Sequence, residues 1–309
     1  MSLFASLQDI MDQSRQRADQ VNSVFVEEVE LILAVNASAK ELHDLLVTAY
    51  GEEYYYETVQ SNFTVDDPSY PLPANFFKLA GVDIETGSGT AKFWPVDKFS
   101  NRHRNRDVVF AYTGLLLKYR LRGGSLIFAP PPRDGRAFKI HYTPTARKLI
   151  KQSFEEADVI FASDRITLTA HGLLAGAPIQ FTTTTTLPSP LVTNTVNYVL
   201  VVDANTIQVA LTEGGAAIVL TDAGTGTHTA LSAFDGINGW ENYIVVDVAR
   251  KMLDKEESDS RHLSAEKQEI IGKLEQLARN RDSGEPEQIT DVDPLGLSDE
   301  VPLRHPLPL

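Results

Sequence analysis

The sequence predicts an α+β protein: a helical bundle with a small β-sheet region, an inserted all-β sandwich- or barrel-like module, and an extended C-terminal tail. Three observations predict it. Apolar residues recur every three to four positions near both ends of the chain. Between them the pattern changes to short runs of alternating apolar and polar residues. Residues 158–232 then differ from everything around them, rich in Thr, Val, Ala and Gly with a single basic residue, Arg165.

Residues 4–21 read as a helix, with Phe4, Leu7, Ile10, Met11, Ala18 and Val21 as its apolar stripe. A longer helix over 26–50 buries Val29, Ile32, Leu33, Leu42, Leu45, Leu46 and Ala49. Glu27, Glu28 and Glu30 suit its N-terminal dipole, and Gly51 stops it. Strands follow at Tyr56–Phe63, Phe76–Ile84, Lys92–Val96, Leu116–Leu121, Ser125–Phe128 and Phe138–Tyr142, with Gly123-Gly124 as a hairpin turn. Within 158–232 the expected strands are Val159–Ala162, Arg165–Ala170, Ala177–Thr184, Asn197–Val202, Thr206–Leu211 and Ile218–Leu220. Val159, Phe161, Ile166, Leu168, Ile179, Phe181, Tyr198, Leu200, Val202, Ile207 and Val209 form the expected core of that module. The threonine run 182–186 reads as strand edge and loop, and Gly224–His228 as a turn. Asn238 and Glu241 have capping-box spacing ahead of a helix carrying Trp240, Tyr243, Ile244, Val248 and Met252. A last helix carries Leu263, Ile270, Ile271, Leu274 and Leu277.

This organisation gives a scaffold of residues 1–153 and 233–281, an inserted module at 158–232, and a tail at 282–309 holding five prolines. Charge follows the same blocks. Residues 1–66 carry a net −9 and residues 67–153 a net +9; residues 154–232 carry −6 and the tail −6, within a chain total of −14. Such alternation suits oppositely charged surfaces that meet, within one copy or between copies.

Composition excludes whole classes of chemistry. With no Cys there is no disulfide framework, thiolate metal site or Cys nucleophile. The seven His are scattered, without HExxH spacing; no GxxxxGK[ST], GxGxxG at a strand–helix junction or GxSxG occurs. No cofactor, metal site or catalytic residue is read, so an enzyme is not expected. The N-terminus lacks the pattern of a signal peptide, and no apolar run is long enough for a membrane span. The acidic balance argues against a general nucleic-acid binder.

The strongest surface signal is basic. Arg102, Arg104 and Arg106 share a loop, and Lys118, Arg120 and Arg122 alternate with Leu117, Tyr119 and Leu121, giving the hairpin one cationic and one apolar face. These six residues are the candidate subunit or partner contacts. In the tail, Leu295, Leu297, Val301, Leu303, Leu307 and Leu309 are candidate apolar anchors of an extended segment.

Four segments in order, SVFVEEVELILAVNASAKELHDLLVTAYGEEYY, YPLPANFFKLAGVDI, GGSLIFAPPPRDGRAFKIHYTP and GINGWENYIVVDVARKMLDKEES, resemble the head-to-tail adaptor (connector) proteins of tailed bacteriophages. The likeness covers about 1–153 and 233–281. It implies a non-enzymatic virion protein, made in the host cytoplasm. Its copies self-associate into a ring, commonly a dodecamer, beneath the portal protein at one capsid vertex. The ring extends the DNA channel and presents a surface to tail or nozzle proteins, and genome DNA passes without specific binding past a wall expected to be acidic or neutral. HGLLAGAPIQF and NYVLVVDANTIQVAL in 158–232 are similar to small β modules of phage structural proteins, which implies tail fibres as a peripheral partner. Most adaptors lack such an insertion. Two other readings stand beside this one: another neck or tail component such as a fibre-attachment protein, or a cellular carbohydrate-binding or adhesion protein.

Overall fold

The computed structural model describes residues 4–22, 25–51, 54–86, 92–100, 102, 117–235 and 239–279. Among these the chain is mostly β. Fifteen strands form three antiparallel sheets and only four helices accompany them, which corrects the expected helical bundle with a small β region.

The helices are α1 (Leu7–Arg17), α2 (Glu28–Tyr50), α3 (Glu241–Lys255) and α4 (Arg261–Arg279). The first expected helix starts later because Ser6 caps it. The Ser6 hydroxyl accepts from the Asp9 N–H at 3.0 Å, and the Asp9 carboxylate accepts from the Ser6 hydroxyl at 2.6 Å. Upstream of that cap, Phe4–Ser6 is strand β1. At α3, Trp240 occupies the N-cap without a side-chain cap, and Asn238 of the expected capping box lies outside the described residues. Leu7, Ile10, Leu31, Val35, Leu42, Leu46, Tyr243, Ile244, Val248, Leu263 and Leu274 close one helical core.

The second core lies between a four-stranded and a three-stranded sheet. Strands β2 (Glu57–Asn62), β4 (Phe76–Thr86), β5 (Lys92–Pro95) and β8 (Ala137–Pro144) form the first, in the order β2-β8-β4-β5. Strands β3 (Ser69–Pro71), β6 (Lys118–Arg122) and β7 (Ser125–Ala129) form the second, in the order β3-β7-β6. Phe63, Tyr70, Phe128 and Phe138 meet at its centre, with Phe63 stacked on Phe138 at 4.6 Å between ring centres. Tyr142 is buried at the rim, its hydroxyl 2.8 Å from both Glu57 Oε2 and Asn75 Oδ1. Burial, reinforced by the Glu57 carboxylate, pushes this phenol up to about 12. Because the folded state favours the neutral phenol, its contribution is complete below the unfolded value near 10 and is lost as pH rises through about 12. Unfolding measured from pH 8 to 12.5 should show an alkaline loss of stability that Tyr142→Phe reduces.

The third core belongs to an eight-stranded sheet built from β1, β9 (Lys151–Phe154), β10 (Val159–Ile160), β11 (Arg165–Thr167), β12 (Pro178–Thr183), β13 (Asn197–Val201), β14 (Thr206–Ala210) and β15 (His228–Asp235). Strand β15 joins its parts. It pairs with β12 along 228–232, with β9 along 228–231, and with β1 along 233–235. Sheet pairing therefore continues beyond 158–232, and Ile150 and Phe154 pack with Ile166, Phe181 and Val209. In β13 the buried residues are Asn197 and Val199, whereas Tyr198 and Leu200 are only half-buried and Tyr198 meets Phe4 edge-on. The inward row is thus shifted by one residue from the expected one, which reverses the face of every side chain in the strand. Phe161 is half exposed, and Ile218–Leu220 is not a strand. The threonine run does end as strand and loop: Thr184 and Thr186 N–H groups donate to the Thr227 and Thr225 carbonyls. Gly224 turns there with φ +72°, where a Cβ would come within 2.5 Å of the Thr186 carbonyl oxygen.

Candidate functional site

The basic hairpin forms as its alternation dictates. Gly123-Gly124 joins β6 to β7 with Arg122 opposite Ser125, and Gly123 takes φ +56°. Leu117 and Tyr119 point into the core; Lys118 and Arg120 are half-buried on the other face and Arg122 is exposed. The 97–99 segment runs alongside β6, its Phe99 N–H donating to the Tyr119 carbonyl at 3.0 Å and its Asp97 carbonyl accepting from the Tyr119 N–H at 3.0 Å. This pairing brings Lys98 to Arg120. Together with Lys78 of β4 they rim a groove of about 540 Å³ floored by Phe76, Phe77, Phe99 and Leu121.

The described cations divide into paired and unpaired ones, and Lys40, Lys92, Arg133, Lys148 and Arg165 fall with this surface among those without an ion pair to a described residue. Arg17, Arg136, Arg147, Lys151, Arg250 and Lys255 each have a carboxylate partner. Lys98, Lys118, Arg120 and Arg122 make no ion pair with any described residue. Arg102 is exposed, its backbone N–H 3.4 Å from Ser100 Oγ. Arg104, Arg106 and the six tail anchors Leu295, Leu297, Val301, Leu303, Leu307 and Leu309 lie outside the described residues.

A second surface departs from the sequence reading. Val29 and Leu33, expected in the buried stripe of α2, are 67% and 65% exposed. Leu31, Val35, Leu42 and Leu46 supply the inner face instead. Val29 and Leu33, four residues apart on α2, make an outward apolar pair, and Val21 and Phe25 in the segment between α1 and α2 are also more than half exposed. Lys255 lies 4.8 Å from the Phe25 ring centre and 2.7 Å from Glu30 Oε2.

Compared with protein-family models the chain matches none, and comparison with characterised proteins finds no relative.

Two polar clusters escape sequence reasoning. Asp247, fully buried on α3, accepts from Lys251 at 2.6 Å, Lys267 at 2.9 Å, Arg250 at 3.1 Å and Ser38 Oγ at 2.7 Å. Lys267 of α4 also reaches Glu41 of α2 at 2.7 Å. Burial alone would raise the Asp247 carboxyl, but the hydrogen bonds and charges of Lys251 and Lys267, with Ser38, hold it well below the usual carboxylate range. Burial likewise opposes the Lys267 charge, and Glu41 and Asp247 outweigh it, so the ammonium is held above its ordinary value. The one available signal was an acid in the middle of the Tyr243–Ile244–Val248 apolar face. The cluster pins three helices together.

The other cluster crosses the four-stranded sheet. His141 Nε2 lies 3.0 Å from Asp83 Oδ2, and its Nδ1 lies 2.6 Å from the Tyr56 hydroxyl and 2.9 Å from Thr58 Oγ1. Register places Thr58 opposite His141, and the contacts tie β2, β8 and β4. Both ring nitrogens are engaged in this ladder, which fits a role in fixing register. Among the described residues no group of three or more His, Cys, Asp and Glu is arranged to hold a metal ion, and no helix is long and apolar enough to cross a membrane.

Proposed function

We propose that this chain is a structural virion protein of the head–tail junction, whose copies form a ring below the portal and extend the DNA channel. The observation that carries the reading is the outward pair Val29 and Leu33 on α2, a helix whose opposite face already fills a core, with Val21 and Phe25 also exposed in the segment before it. Such an apolar surface is unfavourable in water and is stabilised by a neighbouring surface. The cations of the hairpin, without an ion-pair partner among the described residues, give the same chain a second, chemically different contact surface. Two unlike patches on one chain suit a heterologous contact, which closes a ring when repeated around an axis. The segment resemblance points the same way and supplies the portal as the surface on which the ring assembles. The role is non-enzymatic in this reading, with the exposed Ile160, Phe161, Leu211 and Val219 of the β module available to a peripheral partner such as a tail fibre.

The test is electron microscopy of the purified protein, alone and mixed with portal rings, at low and high salt. Closed rings on portal, weakened by salt, are expected because surface ion pairs are screened within about 8 Å at physiological ionic strength. Failure to bind portal under any condition would remove the reading.

A further inference from the structure

We infer that the groove beside the basic hairpin is a docking site for the acidic C-terminal segment of this same chain, residues 282–309. The inference goes beyond the ring reading, since it holds for a segment from the same copy or, within a ring, from the next.

The groove asks for a ligand with two properties. Its floor is apolar, and Phe77 and Leu121 are each more than two-fifths exposed there. Its rim carries Lys98 and Arg120, with Lys118 and Arg122 continuing along β6, and none of these four has an ion-pair partner among the described residues. In a chain of net charge −14, these clustered cations leave a local surplus of positive charge among the described residues. A fitting occupant is therefore acidic and apolar at once.

Residues 282–309 have that composition. They carry seven acids against Arg304. Leu295 and Leu297, Val301 and Leu303, and Leu307 and Leu309 are each two residues apart, the spacing that places side chains on one face of an extended segment. Asp291, Asp293, Asp299 and Glu300 flank those apolar pairs. Pro294, Pro302, Pro306 and Pro308 oppose a helix and favour the extended form, lowering the entropy lost on docking. Leucines set into the Phe76, Phe77 and Leu121 floor would bring the acids to Lys98 and Arg120. Reach is sufficient. From Arg279, where α4 ends, Leu297 lies within about 60 Å of extended chain, against a radius of gyration of roughly 19 Å for a compact chain of this length.

The test uses the full-length protein and a zero-length carbodiimide, which joins a lysine amine to a carboxylate only when the two touch. Cross-links from Lys98 or Lys78 to Asp291, Asp293, Asp299 or Glu300, read by mass spectrometry, are the expected result. They should fall about tenfold in Arg120→Glu and again in Leu295→Ser with Leu297→Ser, and should be competed by a synthetic 282–309 peptide. The second variant alters no described residue, so it separates lost docking from lost folding. Cross-links of the tail carboxylates to other lysines only, or none at all, would overturn the inference. So would cross-links from Lys98 to Glu27 or Asp12 of a second copy, which would make the helical face of another subunit the occupant. Rings seen without the tail cross-link would leave the ring reading standing while this one fails.

Discussion

Replacing Asp247 by alanine should destabilise the protein by about 3–5 kcal/mol, the cost of leaving buried charges without their partner. The carboxylate is fully buried and holds Lys251, Lys267 and Arg250 around it, and Lys267 is itself buried. Without Asp247, Lys267 keeps the Glu41 carboxylate, itself almost half exposed, as its one acidic partner among the described residues, beside the Tyr243 ring. Ser38 also loses its acceptor inside the α2–α3 contact. Urea unfolding monitored by helix signal and by tryptophan fluorescence measures the loss. The same carboxylate sets an acid limb. Its native value lies below its unfolded one, so its contribution is complete above the unfolded value near 4 and is lost as pH falls below it. Wild-type stability should decline below about pH 4 more steeply than that of the alanine variant.

The pair Val29→Glu with Leu33→Glu should leave folding nearly unchanged and abolish assembly. Both side chains are about two-thirds exposed, so neither contributes much to the core. In a subunit contact each would be an apolar anchor worth about 2 kcal/mol, and placing two carboxylates there should weaken association a hundredfold or more, to about the limit of detection. Glu28 and Glu30 already flank the site, so like-charge repulsion adds to the loss. Thermal unfolding and ring formation on portal, measured on one preparation, separate the two effects. An unchanged ring would place the contact elsewhere.

These expectations show which features local sequence could carry. The α2 helix, the Gly123-Gly124 hairpin and strands such as β8, β12 and β14 were legible because their periodicity and turn residues agree with their neighbours. The fold class was not, because the strands that enlarge the β part are short or lie beside segments with turn or helix signals. Phe4–Ser6 looks like the first turn of a helix, Lys151–Phe154 like a linker, and His228–Asp235 like the end of a glycine-rich turn. Their strand conformation comes from one another, through hydrogen bonds between residues far apart in sequence. The outward turn of Val29 and Leu33 was hidden for a different reason. Residues 29–35 are apolar at nearly every position, so two faces satisfied the helical period equally. Strand β13 had the same ambiguity at period two, and its partners chose Val199. Of the candidate site, the cationic stripe was readable, whereas the groove was not. It needs β4, the 97–99 segment and β6 to converge.

The central proposal is that this chain forms a closed ring at the head–tail junction of a phage particle. If the proposal holds, cryo-electron microscopy of a phage particle encoding this chain, reconstructed at the portal vertex, tests it most directly. The account predicts a ring of identical copies below the portal, each presenting the Val29 and Leu33 pair of α2 to its neighbour, around a channel wall without a continuous belt of Arg and Lys. A particle in which the protein is absent from that vertex, or present there as a single copy, would contradict it.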